Sequence, residues 1–263
     1  MAISKEGREY AELTNLSYKM AETPSLRAHT HYYHDHVDHA KKDFSSRNPN
    51  YRIDDRLSDG NSVVAVRGDN VIMAIRGTQA KYIPNTKIPY TMRTGDAVAN
   101  AYVVMDKKEH GKKFQDDMNK FERILDKYPK KNHILTGHSL GGASAWLVGK
   151  RYKKEAHLFS MFDAGTSSDY EYDPQGNNTF YVGAYKGVPD TISVNSLRYK
   201  GKKVIVPTSN WESHGLDNFI IEKRRKRGRV SKFYAPLPSN LKRGRTWRRC
   251  HIDKRGRRIC KVG

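Results

Sequence analysis

Cysteine is nearly missing from this chain. There are two in 263 residues, Cys250 and Cys260, both within the last fourteen, so everything before them folds without disulfide support. No unbroken apolar run approaches the roughly 20 residues that a membrane-spanning helix needs. The opening MAISKEGREY carries Lys5, Glu6, Arg8 and Glu9 where a secretory leader has its apolar core. Synthesis in the cytosol without a signal peptide is therefore the expectation. Apolar residues, at 37%, are scarce for a globular protein, which implies that part of the length is not core. Acids are short as well: 28 Asp and Glu face 49 Lys and Arg, for a net charge of +21. That deficit is local. Residues 223–263 hold seventeen Lys and Arg against one acid, Asp253, and the rest of the chain is close to balanced. The charge belongs to an appendage, and residues 1–222 are long enough for one sizeable α/β domain.

What is present centres on Asn132–Gly149, NHILTGHSLGGASAWLVG. Ile134 and Leu135 read as a short buried strand. The Gly-x-Ser-x-Gly turn Gly137–Gly141 follows, and then a helix rich in small residues. This strand–turn–helix arrangement is that of a nucleophile elbow, which lifts a serine off the end of a strand. Such a turn is strained and leaves no room for side chains beside the serine, hence Gly137 and Gly141. The following helix N-terminus aims free N–H groups at an oxyanion forming beside Ser139, the first of them that of Leu140.

Around the elbow, residues 4–21 predict an amphipathic helix with Tyr10, Leu13, Ser17 and Met20 on one face, closed by Pro24. Five histidines and two aspartates crowd His29–His39, but their spacing fits no metal motif. A solvated, pH-sensitive surface segment is the expectation. Ser62–Val66 and Val71–Arg76 read as a hairpin turning at Arg67–Asn70. The Arg67-Gly68-Asp69 triplet is then part of the turn and not an adhesion motif. Residues 79–95 have no period and read as a loop. Residues 111–128 carry a single stripe of Phe114, Met118, Phe121, Leu125 and Tyr128, a helix closed by Pro129. Beyond the elbow, Ala156–Phe162, Thr179–Val182 and Thr191–Val194 predict strands, and Arg198–Val206 a final hairpin bending at Gly201. Strands alternating with helices imply the α/β class: a mostly parallel sheet with helices on both faces.

A serine hydroxyl needs a base, and the base needs an anion to hold its tautomer. On this scaffold the partners follow in the order Ser, acid, His. Three histidines lie after Ser139. His157 falls in a predicted strand and His251 in the basic tail, which leaves His214, on a loop after the last strand. Asp190, Asp163 and Asp173 are the candidate acids.

The segment TGHSLGGA, with Arg76-Gly77-Thr78 upstream and His214-Gly-Leu-Asp-Asn-Phe219 downstream, resembles the class 3 lipases, the fungal lipase-like branch of the α/β hydrolases. The resemblance runs over residues 8–220 and is strongest at the elbow. It implies an α/β-hydrolase domain over 1–222 that cleaves carboxylic esters of lipids as a lipase or phospholipase. It also implies Ser139, Asp190 and His214 as the catalytic set, with the Thr78 N–H joining that of Leu140 as oxyanion donor. Residues 79–95 would cover the site, with Tyr82, Ile83, Ile88 and Tyr90 against the acyl chain. The chemistry of the family needs neither cofactor nor metal.

The tail, residues 223–263, has no counterpart in that family. Its runs KRRKRGR, LKRGRTWRR and KRGRR are built to meet polyanions, either an anionic membrane surface or nucleic acid. Lys223–Arg229 also reads as a nuclear-import patch, and the nucleus or a virus particle would suit such a segment. The tail is expected to be flexible, with a small hairpin over 247–262 that brackets Lys254–Gly256 and keeps reduced thiols in the cytosol. The alternative from a different class is a nucleic-acid-binding or virion-core protein on a catalytically idle lipase-like scaffold.

Overall fold

The computed structural model of the chain describes residues 3–21, 30–78, 80–82, 89–92, 111–163, 178–208, 213–220, 248–252 and 258–262. Two compact units result, Met1–Glu222 and Lys223–Gly263.

The first unit opens with two helices, α1 (Lys5–Ala21) and α2 (Thr30–Arg47). Strands β1 (Arg52–Ile53), β2 (Ser62–Arg67) and β3 (Asn70–Ile75) follow. Runs such as SVVAVR and NVIMAI are rich in β-branched residues and apolar at successive positions, because both sheet faces are covered. Val64 and Val66 enter one core, while Val63 and Ala65 enter the other. The β2–β3 hairpin turns at Gly68, whose φ of 54° suits glycine. Arg67 is tied back to Glu9 at 2.8 Å and Tyr51 at 3.0 Å, so the Arg-Gly-Asp triplet serves the fold, as expected.

Next come β4 (Ala80–Tyr82) and β5 (Pro89–Met92), paired antiparallel. The loop expected over 79–95 therefore contains a two-stranded ribbon. Helix α3 (Lys112–Lys127) buries Phe114 and Phe121 of the expected stripe, and Met118, Leu125 and Tyr128 pack at its margin. Strand β6 (Asn132–His138) leads into α4 (Leu140–Tyr152), and β7 (Glu155–Phe159), β8 (Thr179–Tyr185) and β9 (Val188–Pro189) succeed it. Two expectations fail here. Thr191–Val194 is a turn running into a 3-10 helix at Val194–Arg198, and its Ile192 and Val194 are exposed. Arg198–Val206 is no hairpin: Tyr199 is buried between Trp146 and Phe180, and β10 (Lys202–Thr208) pairs in parallel with β8. Helix α5 (Asp217–Ile220) closes the unit.

The main sheet runs β1-β2-β3-β6-β7-β8-β10, with β9 folded back on β8. The pairings β3–β6, β6–β7, β7–β8 and β8–β10 are parallel, and β1–β2, β2–β3 and β8–β9 are antiparallel. Helices α1, α2 and α5 cover one face, α3 and α4 the other. This is the α/β architecture expected. In open parallel sheets, reactive groups gather beyond the carboxyl ends of the strands. Here those ends carry Gly77–Thr78 after β3, Ser139 after β6, Asp190 where β9 folds back beside the end of β8, and His214 after β10.

In the second unit, β11 (Arg248–Ile252) and β12 (Arg258–Val262) pair antiparallel, with Cys250 opposite Cys260. Among the described residues no helix is long and apolar enough to cross a membrane. In α2, His36, Asp38 and His39 face solvent while Val37, Ala40 and Phe44 are buried.

Candidate active site

Ser139 occupies the bend between β6 and α4 with φ 55° and ψ −124°. That conformation is unfavourable for any residue with a Cβ and persists only where the surroundings enforce it. They do so by close packing of backbone. A Cβ on Gly137 would lie 2.5 Å from the Gly141 carbonyl carbon, and one on Gly141 would lie 2.6 Å from that of Arg76. The Ser139 carbonyl accepts the N–H groups of Gly142, Ala143 and Phe162 at 3.0–3.2 Å, which holds the elbow against the end of β7.

His214 reaches the serine across 75 residues of sequence. Its Nε2 lies 2.9 Å from Ser139 Oγ, and its Nδ1 lies 2.6 Å from Asp190 Oδ2. The carboxylate can only accept, so Nδ1 carries the proton and Nε2 is free to take the serine's. Asp190 is buried. Its Oδ2 also accepts the Ser193 hydroxyl at 2.6 Å, and its Oδ1 accepts the Ile192 N–H at 3.3 Å. Burial pushes this carboxyl up, but the bonds from His214, Ser193 and Ile192 outweigh that and hold it below the usual carboxylate range. Asp163, the second candidate acid, is buried after β7; it is Asp190 that bonds the imidazole. Asp173 lies outside the described residues.

Beside the serine stands the turn after β3. A Cβ on Gly77 would lie 3.2 Å from that of Ser139 and 2.5 Å from the His138 carbonyl oxygen, so only glycine fits. Arg76, fully buried, fixes this turn by donating to the Gly77 carbonyl at 2.7 Å and to the Gly60 carbonyl at 3.0 Å. Thr78 thus follows a glycine packed on Ser139, and Leu140 is the first residue of α4. Of the expected acyl-chain contacts, Tyr82 and Tyr90 fall on β4 and β5, with side chains outside the described set; Ile83 and Ile88 lie outside the described residues altogether.

Two positions escaped the sequence reading. Tyr18 of α1 bonds both the Gly77 N–H and His138. Gly183 of β8 lies directly under the backbone of Ser213, the residue before His214. Neither belongs to a motif, and only the fold brings them to the site.

Residues 67–165 match the family described as lipase (class 3). The match takes in Gly77, Thr78 and Ser139 and stops short of Asp190, His214 and the basic tail. Among solved structures, the chain is similar to the nonglycosylated LIP2 lipase of Yarrowia lipolytica, at 16% identity over 82% of this chain and 85% of that one, with a TM-score of 0.42. A second structure of Lip2 lipase from Yarrowia lipolytica matches at 12% identity over 78% and 80%, TM-score 0.41. Lipase II from Rhizopus niveus matches at 15% over 81% and 85%, TM-score 0.41. No curated protein matches the chain in sequence.

Proposed function

We propose that the chain is a serine ester hydrolase acting on lipid esters, acylglycerols or phospholipids, with Ser139 as nucleophile, His214 as base and Asp190 as the anion that orients it. The observation that carries this reading is the continuous line Asp190–His214–Ser139, with bonds of 2.6 and 2.9 Å ending on a serine held at φ 55°. Ser139 Oγ attacks the ester carbonyl carbon as its proton passes to His214 Nε2. The oxyanion is met by the N–H groups of Leu140 and Thr78, each worth on the order of 3 kcal/mol in the transition state. The alcohol leaves with the proton from His214, and water then cleaves the acyl-enzyme by the same route.

A lipid substrate is favoured by exposed aliphatic side chains on the segment around Asp190. Val188, Ile192 and Val194 are exposed at 59%, 44% and 38%, and they flank Asp190 in the chain. Exposed aliphatic side chains on the segment that carries Asp190 suit contact with an apolar surface. The basic tail would carry the enzyme to anionic lipid surfaces, since each cation near such a membrane contributes about 1 kcal/mol. An ordered triad weighs against an idle scaffold. Labelling with a fluorophosphonate probe tests the reading: the parent should react at Ser139 and release p-nitrophenol from a short-chain ester. Parent rates no higher than those of Ser139→Ala would overturn it.

A further inference from the structure

Behind the Ser139–His214 pair, three more hydrogen bonds join residues from four distant parts of the chain. His138 Nε2 lies 2.7 Å from the His214 carbonyl oxygen. Tyr18 Oη lies 2.9 Å from His138 Nδ1, and the Gly77 nitrogen lies 3.0 Å from Tyr18 Oη. The direction of every bond follows from which atoms carry protons. A carbonyl only accepts, so His138 Nε2–H donates to His214. Burial first, and then the neighbouring His214, pushes His138 down to about 3, so at neutral pH its ring holds a single proton and Nδ1 is bare. Tyr18 O–H therefore donates to Nδ1, and its oxygen accepts the Gly77 N–H.

We infer that Tyr18 and His138 are positioning residues: their hydrogen-bond chain ties the Gly77–Thr78 turn and the His214 loop to the nucleophile elbow, so that oxyanion donor and base keep one fixed spacing about Ser139. The inference rests on the hydrolase reading above. The hydrogen bonds of this chain end on the Gly77 N–H and the His214 carbonyl oxygen, not on Ser139 Oγ or the His214 ring nitrogens. The two ends of the chain are the residue before Thr78 and the base itself, which come from opposite sides of the serine. His138 immediately precedes Ser139 and so refers both to the nucleophile's own backbone. The packing is tight enough to transmit the constraint. A side chain at Gly77 would collide with the Tyr18 hydroxyl, and the His138 and His214 rings stand 4.9 Å apart. Misplacement of reacting groups by about 1 Å can cost 100-fold in rate, so a device that holds two of them has a measurable effect.

The test uses the full chain and a short-chain p-nitrophenyl ester, with parent, Tyr18→Phe, His138→Gln and His138→Leu. Titration with the fluorophosphonate counts competent sites, so kcat is expressed per site and a variant that merely unfolds loses sites without losing kcat. Tyr18→Phe should lower kcat per site about tenfold with KM within twofold, and slow labelling of Ser139 by the same factor, as expected for one lost hydrogen bond. His138→Gln, whose amide N–H can still reach the His214 carbonyl, should keep more of the kcat than His138→Leu. Parental kcat per site and labelling rate in Tyr18→Phe and His138→Leu would overturn the inference, as would losses confined to the number of sites. If the parent works no faster than Ser139→Ala, the hydrolase reading itself fails and takes this inference with it, an outcome visible before Tyr18 or His138 variants are compared.

Discussion

Gly183 and Ser213 meet backbone to backbone: a methyl group at position 183 would overlap the Ser213 carbonyl oxygen. The Gly183 carbonyl also accepts the Asp190 N–H at 2.8 Å. One glycine in the middle of β8 thus seats the loop of His214 and the backbone of Asp190, its hydrogen-bond partner. Gly183→Ala should leave the sheet intact, since alanine tolerates a strand, yet push residues 213–214 outward. We expect kcat on a soluble ester to fall about 100-fold with little change in far-UV circular dichroism. A parental rate in a folded Gly183→Ala protein would show that the loop tolerates displacement.

The strain at Ser139 separates two substitutions that remove the same hydroxyl. Alanine keeps the Cβ and so keeps the cost of φ 55°, whereas glycine removes it. No side-chain cap of α4 is lost, because Ser139 makes none. Both variants should lose hydrolysis by 10⁴-fold or more, on the order seen when a triad serine is deleted. Ser139→Gly should nevertheless be more stable than Ser139→Ala by about 1 kcal/mol in urea unfolding. Equal stabilities would mean that the elbow stores no backbone strain.

What the sequence disclosed follows from how locally each feature is encoded. The elbow was legible because strand, glycines and helix are contiguous, and His214 because chain order left one histidine on a suitable loop. The stripe of α3 was legible because its period is internal to the helix. Thr191–Val194 misled because threonine, isoleucine and valine favour strands locally, while the fold spends this segment on the turn that presents Asp190. Arg198–Val206 misled because the partner of β10 is β8, some twenty residues upstream and parallel, and no turn residue announces such a pairing. Tyr18 and Gly183 were beyond reach: their importance lies in which backbone they touch.

Acid should reveal the buried imidazole of His138. Burial holds its folded value near 3, against an ordinary value of 6.5. Between those values the unfolded chain binds the extra proton and the folded chain does not. Stability from this group is therefore complete above about pH 6.5 and drains as pH falls toward 3, at most about 1.4 kcal/mol per pH unit. His133, also lowered by burial and by Lys154, acts with the same sign but is common to both proteins compared. Urea unfolding of parent and His138→Gln at pH 7.5 and 5.0 should give a steeper loss in the parent. Equal slopes would indicate that water reaches the His138 ring.

The exposed aliphatic side chains around Asp190 can be tested apart from the chemistry. Val188 and Ile192 are exposed and make no part of the Asp190 hydrogen bonding through their side chains. Val188→Ser with Ile192→Ser should leave kcat on a soluble short-chain ester within twofold of the parent. Hydrolysis of the same acyl group in lipid vesicles should drop at least fivefold, because burial of the two side chains at an interface is worth roughly 1–3 kcal/mol each. Parallel losses on both substrates would instead make these side chains a structural part of the Asp190 turn.

The basic tail makes a prediction that residues 1–222 alone cannot. Residues 1–222 form their own compact unit, so a chain ending at Glu222 should match the full chain on the soluble ester. Seventeen cations in residues 223–263 should bind vesicles containing anionic lipid at 50 mM salt and let go by about 500 mM, where charges more than a few ångströms apart are screened. The truncated chain should bind weakly at either salt and hydrolyse vesicle-borne ester correspondingly slowly. Duplex DNA at matched salt is the competing ligand. A tail that prefers DNA over the vesicles, with no gain in lipid hydrolysis from its presence, would assign it to nucleic acid and leave the aliphatic side chains around Asp190 as the route to the lipid surface.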